Sequence, residues 1–128
     1  MTTGSCLCGG VAFEITGPLR PVVACHCTQC RKQSGHYGAF TACDDKDLHF
    51  RARDTLAWYK ASPLAGRGFC KACGSLLFWK ADGAAHTSIA AGSLDGKTGL
   101  KTEGHIYCAD KGDYYEICDG AYQKAQWN

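Results

Sequence analysis

Cys25-His26-Cys27-Thr28-Gln29-Cys30 sets three thiols within one short turn of chain. A C-x-C or C-x-x-C step brings two sulfurs within range of a single ion at about 2.3 Å, so this stretch reads as a metal-ligand cluster. On either side lie two further pairs, Cys6-Leu7-Cys8-Gly9 and Cys70-Lys71-Ala72-Cys73-Gly74. In both, the glycine lets the backbone turn its amides toward the sulfurs. Seven of the ten cysteines fall in these three groups, while Cys43, Cys108 and Cys118 stand alone.

A tetrahedral structural zinc needs four sulfurs, and pairs drawn from distant parts of a chain tie together more of the fold than one local cluster could. Cys6 and Cys8 with Cys70 and Cys73 meet that requirement. Cys25, Cys27 and Cys30 remain as three ligands from one segment, and three protein ligands with an exchangeable fourth position is the coordination of catalytic zinc sites. Two zinc ions per chain are therefore expected. The alternative for the trio is a second closed structural site completed by Cys43, His26 or His36. In an extended C-x-C segment the middle side chain points away from the converging sulfurs, so His26 is expected to anchor a neighbour or line a pocket.

The remaining composition narrows the class. At 128 residues the chain has the length of one domain, expected to span residues 1–128. Hydrophobic content of 45% with charged content of 20% describes a folded globular protein and excludes a disordered one. No stretch reaches the apolar length of a membrane span, and Met1 to Cys6 lacks the basic start and apolar core of a signal peptide. A cytoplasmic location follows, and in that reducing compartment thiols serve as ligands or catalysts more than as disulfides. The formal charge of +2 falls to about −1 once seven thiolates and two Zn²⁺ are counted. The basic residues are scattered as well, which argues against a nucleic-acid partner.

Between the cysteine groups the sequence predicts short strands separated by turns. Val11, Phe13 and Ile15 alternate with Ala12 and Glu14 across residues 10–16. Further strands are expected over residues 37–43, 56–60, 67–69, 75–80, 86–91, 105–108 and 114–117, with Asp44 to Asp47 as a polar turn. One short helix is predicted from Thr28 to about Ser34, carrying Cys30 in its first turn. The fold class is thus all-β, mostly strand with short helical turns. Trp58, Phe69, Phe78 and Trp79 are expected in the core, as are the three isolated cysteines.

These motifs, spread along nearly the whole chain, resemble the glutathione-dependent formaldehyde-activating enzyme family, which includes centromere-protein-V type proteins and has the Mss4-like β fold. The similar segments are Gly4-Ser5-Cys6-Leu7-Cys8-Gly9-Gly10-Val11, Cys25 to Gly35, Phe69-Cys70-Lys71-Ala72-Cys73-Gly74-Ser75, and Ala91-Gly92-Ser93-Leu94-Asp95 followed by His105-Ile106. The resemblance implies the same division of ligands: Cys6, Cys8, Cys70 and Cys73 on a structural zinc, Cys25, Cys27 and Cys30 on a catalytic one. It further implies a carbon–sulfur lyase-type activity joining formaldehyde to the thiol of glutathione. The tail from Tyr107 to Tyr114 departs from the Ser/Lys-then-Trp pattern frequent in that family.

Chemistry supports such a use of the trio. Three thiolates on one Zn²⁺ leave a net charge of −1, a modest Lewis acid suited to holding an incoming thiol as thiolate beside a small aldehyde. His26, His36, Gln33 and Ser34 are candidates for the pocket rim, and Arg31 and Lys32 for steering an acidic thiol such as glutathione. His49, His86 and His105 read as structural. Two other functions stay open at this point: a zinc-built module that binds a protein or nucleic-acid partner, and a related enzyme acting on another thiol adduct.

Overall fold

A computed structural model covers residues 1–128. Its strands are β1 (Thr2–Ser5), β2 (Val11–Ile15), β3 (Val22–Cys25), β4 (Gly38–Asp44), β5 (Leu48–Arg53), β6 (Leu56–Ser62), β7 (Ala65–Cys70), β8 (Leu76–Ala81), β9 (His86–Ala90), β10 (Thr102–Ile106) and β11 (Tyr122–Gln123). The single α-helix, α1, runs Thr28–Ser34, over the span expected for it. The all-β class is therefore the class observed. No helix is long and apolar enough to cross a membrane.

The strands form a three-stranded sheet, β1-β2-β5, and an eight-stranded sheet ordered β11-β10-β3-β4-β9-β8-β7-β6. Most neighbours are antiparallel, but β10 lies parallel to both β3 and β11. Alternation in β2 decides what faces inward: Val11, Phe13 and Ile15 are buried, whereas Ala12 and Glu14 are not. Their side chains meet Leu77 and Phe78 of β8 and Ile89 of β9, and the Phe13 and Phe78 rings contact edge to face at 5.3 Å. Cys6 and Cys70 belong to this same core, so one cysteine group sits at the margin of the main hydrophobic contact.

Several expectations are corrected. Residues 114–117 form no strand: the Tyr115 carbonyl accepts from Lys111 Nζ and the Ile117 carbonyl from the Gln123 side chain, leaving no backbone ladder there. The strand expected over 105–108 ends at Ile106, since Tyr107 turns into left-handed backbone at φ 55°. Cys43 is buried in the core as expected, but Cys108 is half-buried and Cys118 exposed. Trp58 is 48% exposed, lying across Phe78 on the edge strand β6 rather than inside. Strands β1, β3, β5 and β11, two to six residues long, carry too little alternating apolar character to be read from sequence.

The C-terminal segment returns to the sheet through β11 and through bonds from the Tyr107, Cys108 and Lys124 amides to the Gln126, Lys124 and His105 carbonyls. This return is possible because β10 carries Gly104, over which the Tyr122 ring lies flat. A Cβ built at Gly104 would come within 2.1 Å of that ring. Gly104→Ala should therefore displace Tyr122 at an overpacking cost of roughly 1–3 kcal/mol. Hydrogen exchange at Lys124 and Cys108 should speed by about tenfold or more while amides of β2 and β8 stay protected. Unchanged exchange at Lys124 would show that the segment is held some other way.

Candidate metal centres

The pairs expected to meet across the chain do meet. Cys6 and Cys8 follow β1, Cys70 ends β7, Cys73 sits in the turn before β8, and their four sulfurs all lie within 4.8 Å of one another. Cys6 to Cys8 and Cys8 to Cys70 are each 3.7 Å apart. Sulfurs at about 2.3 Å from a central tetrahedral ion would be about 3.8 Å apart, so the donor set fits such an ion. Gly9 and Gly74, at φ 83° and 82°, close the two turns in a region that side-chain-bearing residues avoid. The turns aim amides at sulfur, with Val11 N–H donating to Cys6 Sγ at 3.3 Å and Cys73 N–H to Cys70 Sγ at 3.4 Å.

Hydroxyls and neighbouring sulfurs then decide which thiol gives up its proton. Thr55 Oγ1, 3.1 Å from Cys70 Sγ, holds that thiol below its ordinary range, and Ser75 Oγ, 3.2 Å from Cys73 Sγ, draws Cys73 down to about 5. Cys8 goes the other way, to about 11: the Gly10 amide pulls it down, but the sulfurs of Cys6 and Cys70 push it up by more. Four thiols at this spacing cannot all ionise beside one another. A divalent cation among them removes the conflict.

The second group is local. Cys25 ends β3, Cys27 caps the helix with its sulfur accepting from the Cys30 amide at 3.4 Å, and Cys30 is buried in the first turn of α1. These three sulfurs also lie within 4.8 Å of one another. The same conflict recurs, since the Cys25 and Cys30 sulfurs draw Cys27 down to about 2 while the Cys27 and Cys30 sulfurs drive Cys25 far above its ordinary value. Cys30 is raised, as the pull of the Cys25 sulfur is outweighed by the Cys27 sulfur and by burial. One cation reaches this group from the far side of the sheet. Arg67 of β7, only 3% exposed, donates from Nη2 to Cys30 Sγ at 3.3 Å.

None of the side chains considered as a fourth ligand joins the trio. Cys43 lies in the hydrophobic core. His36 Nδ1 meets the Tyr114 hydroxyl at 2.8 Å, and both ring nitrogens of His26 are engaged elsewhere. Buried His26 and His105 form a hydrogen-bonded chain that ends at an exposed carboxylate: His105 Nε2 is 2.8 Å from Asp119, His105 Nδ1 is 2.9 Å from His26 Nε2, and His26 Nδ1 contacts the Tyr115 hydroxyl. The carboxylate only accepts, so the order of donors follows from it: His105 Nε2–H to Asp119, His26 Nε2–H to His105 Nδ1, Tyr115 O–H to His26 Nδ1. Burial holds His26 neutral, down to about 4.

A cavity of about 340 Å³ opens beside α1, lined by Gln33, Ser34, Tyr37 and Gly38 on one side and by Gly74 and Leu76 on the other. It thus lies between the two cysteine groups. Gln33 and Ser34 are at its rim as expected, whereas His26 and His36 are not among its walls. Lys32 and His36 are exposed, and the Arg31 Nε is buried without a partner. His105 is the buried, doubly bonded histidine that was expected, while His49 and His86 stay at the surface. Arg67, Tyr115 and Asp119 were not anticipated. A signal for Arg67 existed in the arginine set between Gly66 and Gly68, in a strand of otherwise small and apolar residues.

No curated protein matches the chain. Among solved structures it is similar to the crystal structure of a Rhodobacter sphaeroides protein, at 20% identity and a TM-score of 0.66, over 81% of this chain and 99% of that one. That likeness concerns the fold. Residues 1–110 match the family described as the glutathione-dependent formaldehyde-activating enzyme. Both cysteine groups fall within the matched residues, and the chain belongs to the glutathione-dependent formaldehyde-activating enzymes.

Proposed function

We propose that residues 1–128 form one zinc-binding domain that acts as a carbon–sulfur lyase-type enzyme on a small aldehyde and a thiol such as glutathione, in the reducing cytoplasm. One observation carries the reading: three sulfurs of a single turn converge without a fourth side chain, in a chain of the family described by that activity. Cys6, Cys8, Cys70 and Cys73 would hold a structural zinc, and Cys25, Cys27 and Cys30 a catalytic one. A zinc ion on the trio supplies a Lewis-acidic centre at which a thiol is acidified toward its nucleophilic form.

The chain's own groups do the rest. The Cys30 amide and the Arg67 guanidinium donate to the trio, stabilising its sulfurs in the anionic form a metal requires. Asp119 orients His105 and His105 orients His26, which fixes the tautomer that accepts the Tyr115 proton at Nδ1. His26 is thereby kept off the metal position. The cavity beside α1 gives room for a carbonyl compound of few atoms, with the Gln33 and Ser34 side chains as polar groups to orient it.

Metal analysis of protein purified without chelator should find about two zinc ions per chain. Formaldehyde, glutathione and their adduct should interconvert faster in its presence, followed by NMR exchange measurements. Two zincs with no acceleration would overturn the substrate assignment.

The two centres should also respond differently to mutation. Cys30→Ser is expected to retain cooperative unfolding and about one zinc, while exchange returns to its uncatalysed rate. Cys70→Ser should lose cooperative unfolding, because its sulfur joins segments that the core alone holds less firmly. Accelerated exchange in Cys30→Ser would remove the trio from the mechanism.

A further inference from the structure

Arg67 is a permanent cation placed where a cation is costly. It is 3% exposed, makes no ion pair with any carboxylate, and has two nitrogens, Nε and Nη1, buried without a hydrogen-bond partner. Its one recorded bond runs from Nη2 to Cys30 Sγ. An unpaired guanidinium in such a place is strongly destabilising unless negative charge lies against it. The only charge-bearing group in contact is the cysteine trio. By contrast, the donors to the four-sulfur group are backbone amides and hydroxyls, with no lysine or arginine among them.

We propose that Arg67 is the internal counter-charge of the Cys25/Cys27/Cys30 centre and thereby sets its preference for an anionic fourth ligand. Three thiolates on a divalent ion carry −1, and Arg67 brings the assembly to zero. A thiol that enters loses its S–H proton to solvent and keeps the electron pair on sulfur, raising the total only to −1. Without Arg67 the same step would build −2 in a half-buried site. The four-sulfur centre would carry −2 on a divalent ion and has no such cation, but one of its ligands, Cys8, is exposed to solvent. Arg67 acts through Cys30 and is a positioning residue. The inference deepens the thiol–aldehyde reading and rests on it for the identity of the natural ligand, though not for the charge preference itself.

The test uses the full chain loaded with cobalt(II), whose visible bands report ligands added to the trio, titrated with azide and 2-mercaptoethanol as anionic ligands and imidazole as a neutral one. Arg67→Met should weaken azide and 2-mercaptoethanol by about tenfold or more and leave imidazole within about twofold. Arg67→Lys should restore most of the difference. Equal shifts for anionic and neutral ligands, or none, would overturn the proposal, as would a wild-type centre that takes imidazole in preference to azide. The last comparison needs no variant, so it stands even if Arg67→Met fails to fold. Thiol binding indifferent to Arg67 would leave the functional reading intact and remove this one. Azide binding that depends on Arg67, with no thiol bound by any form, would do the reverse.

Discussion

Like charge crowded at short range governs this molecule. Seven sulfurs gather in two groups whose members lie within 4.8 Å of one another, and in neither group can all of them ionise unaided. The proton affinities split accordingly, Cys73 low against Cys8 high in one group and Cys27 low against Cys25 high in the other. Amides, hydroxyls and one guanidinium turn toward these sulfurs to ease the repulsion. The knuckle glycines, the cap of α1 and the placement of Arg67 are all arrangements that supply positive potential to a negative cluster.

The two groups solve the problem with different reach. The first draws on residues from β1 and β7, so any ion it holds links the small sheet's edge to the large sheet's far half. Its Cys6 and Cys70 are part of the hydrophobic core, and metal and apolar contact there support each other. The second is built on a single turn and leans on the rest of the fold for its surroundings: β10 lies beside β3, α1 rests against β6 through the Gln29 to Ala61 bond, and Arg67 comes from β7. A centre whose ligands are local can keep the same ligands while its environment is adjusted from afar.

What could be read in the sequence follows the same division. Cysteine spacing located both groups, because ligand geometry depends on a few residues of local backbone. The short Thr28–Ser34 helix lies where it was expected, and β2 and β8 were legible from alternation or apolar run length. The surroundings of the trio were not legible. Arg67 is 37 residues from Cys30, and Tyr115 is 89 from His26, separations at which no periodicity carries information. The expected strand at 114–117 failed for a related reason. Its tyrosines have strand propensity, but their hydroxyls are recruited by His36 and His26, and tertiary contact prevailed over local preference.

The span of the four-sulfur centre bears on how the chain comes to be folded. Cys8 and Cys70 are 62 positions apart, whereas the trio closes within one turn. As the polypeptide leaves the ribosome, Cys6 and Cys8 emerge together with Cys25, Cys27 and Cys30, well ahead of the second knuckle. Closing the short loop sacrifices far less chain freedom than closing the long one, so an ion arriving early would settle on the trio. Order of synthesis thus runs opposite to span: the local trio is complete first, and a stalled or truncated chain would carry it on an unfinished scaffold.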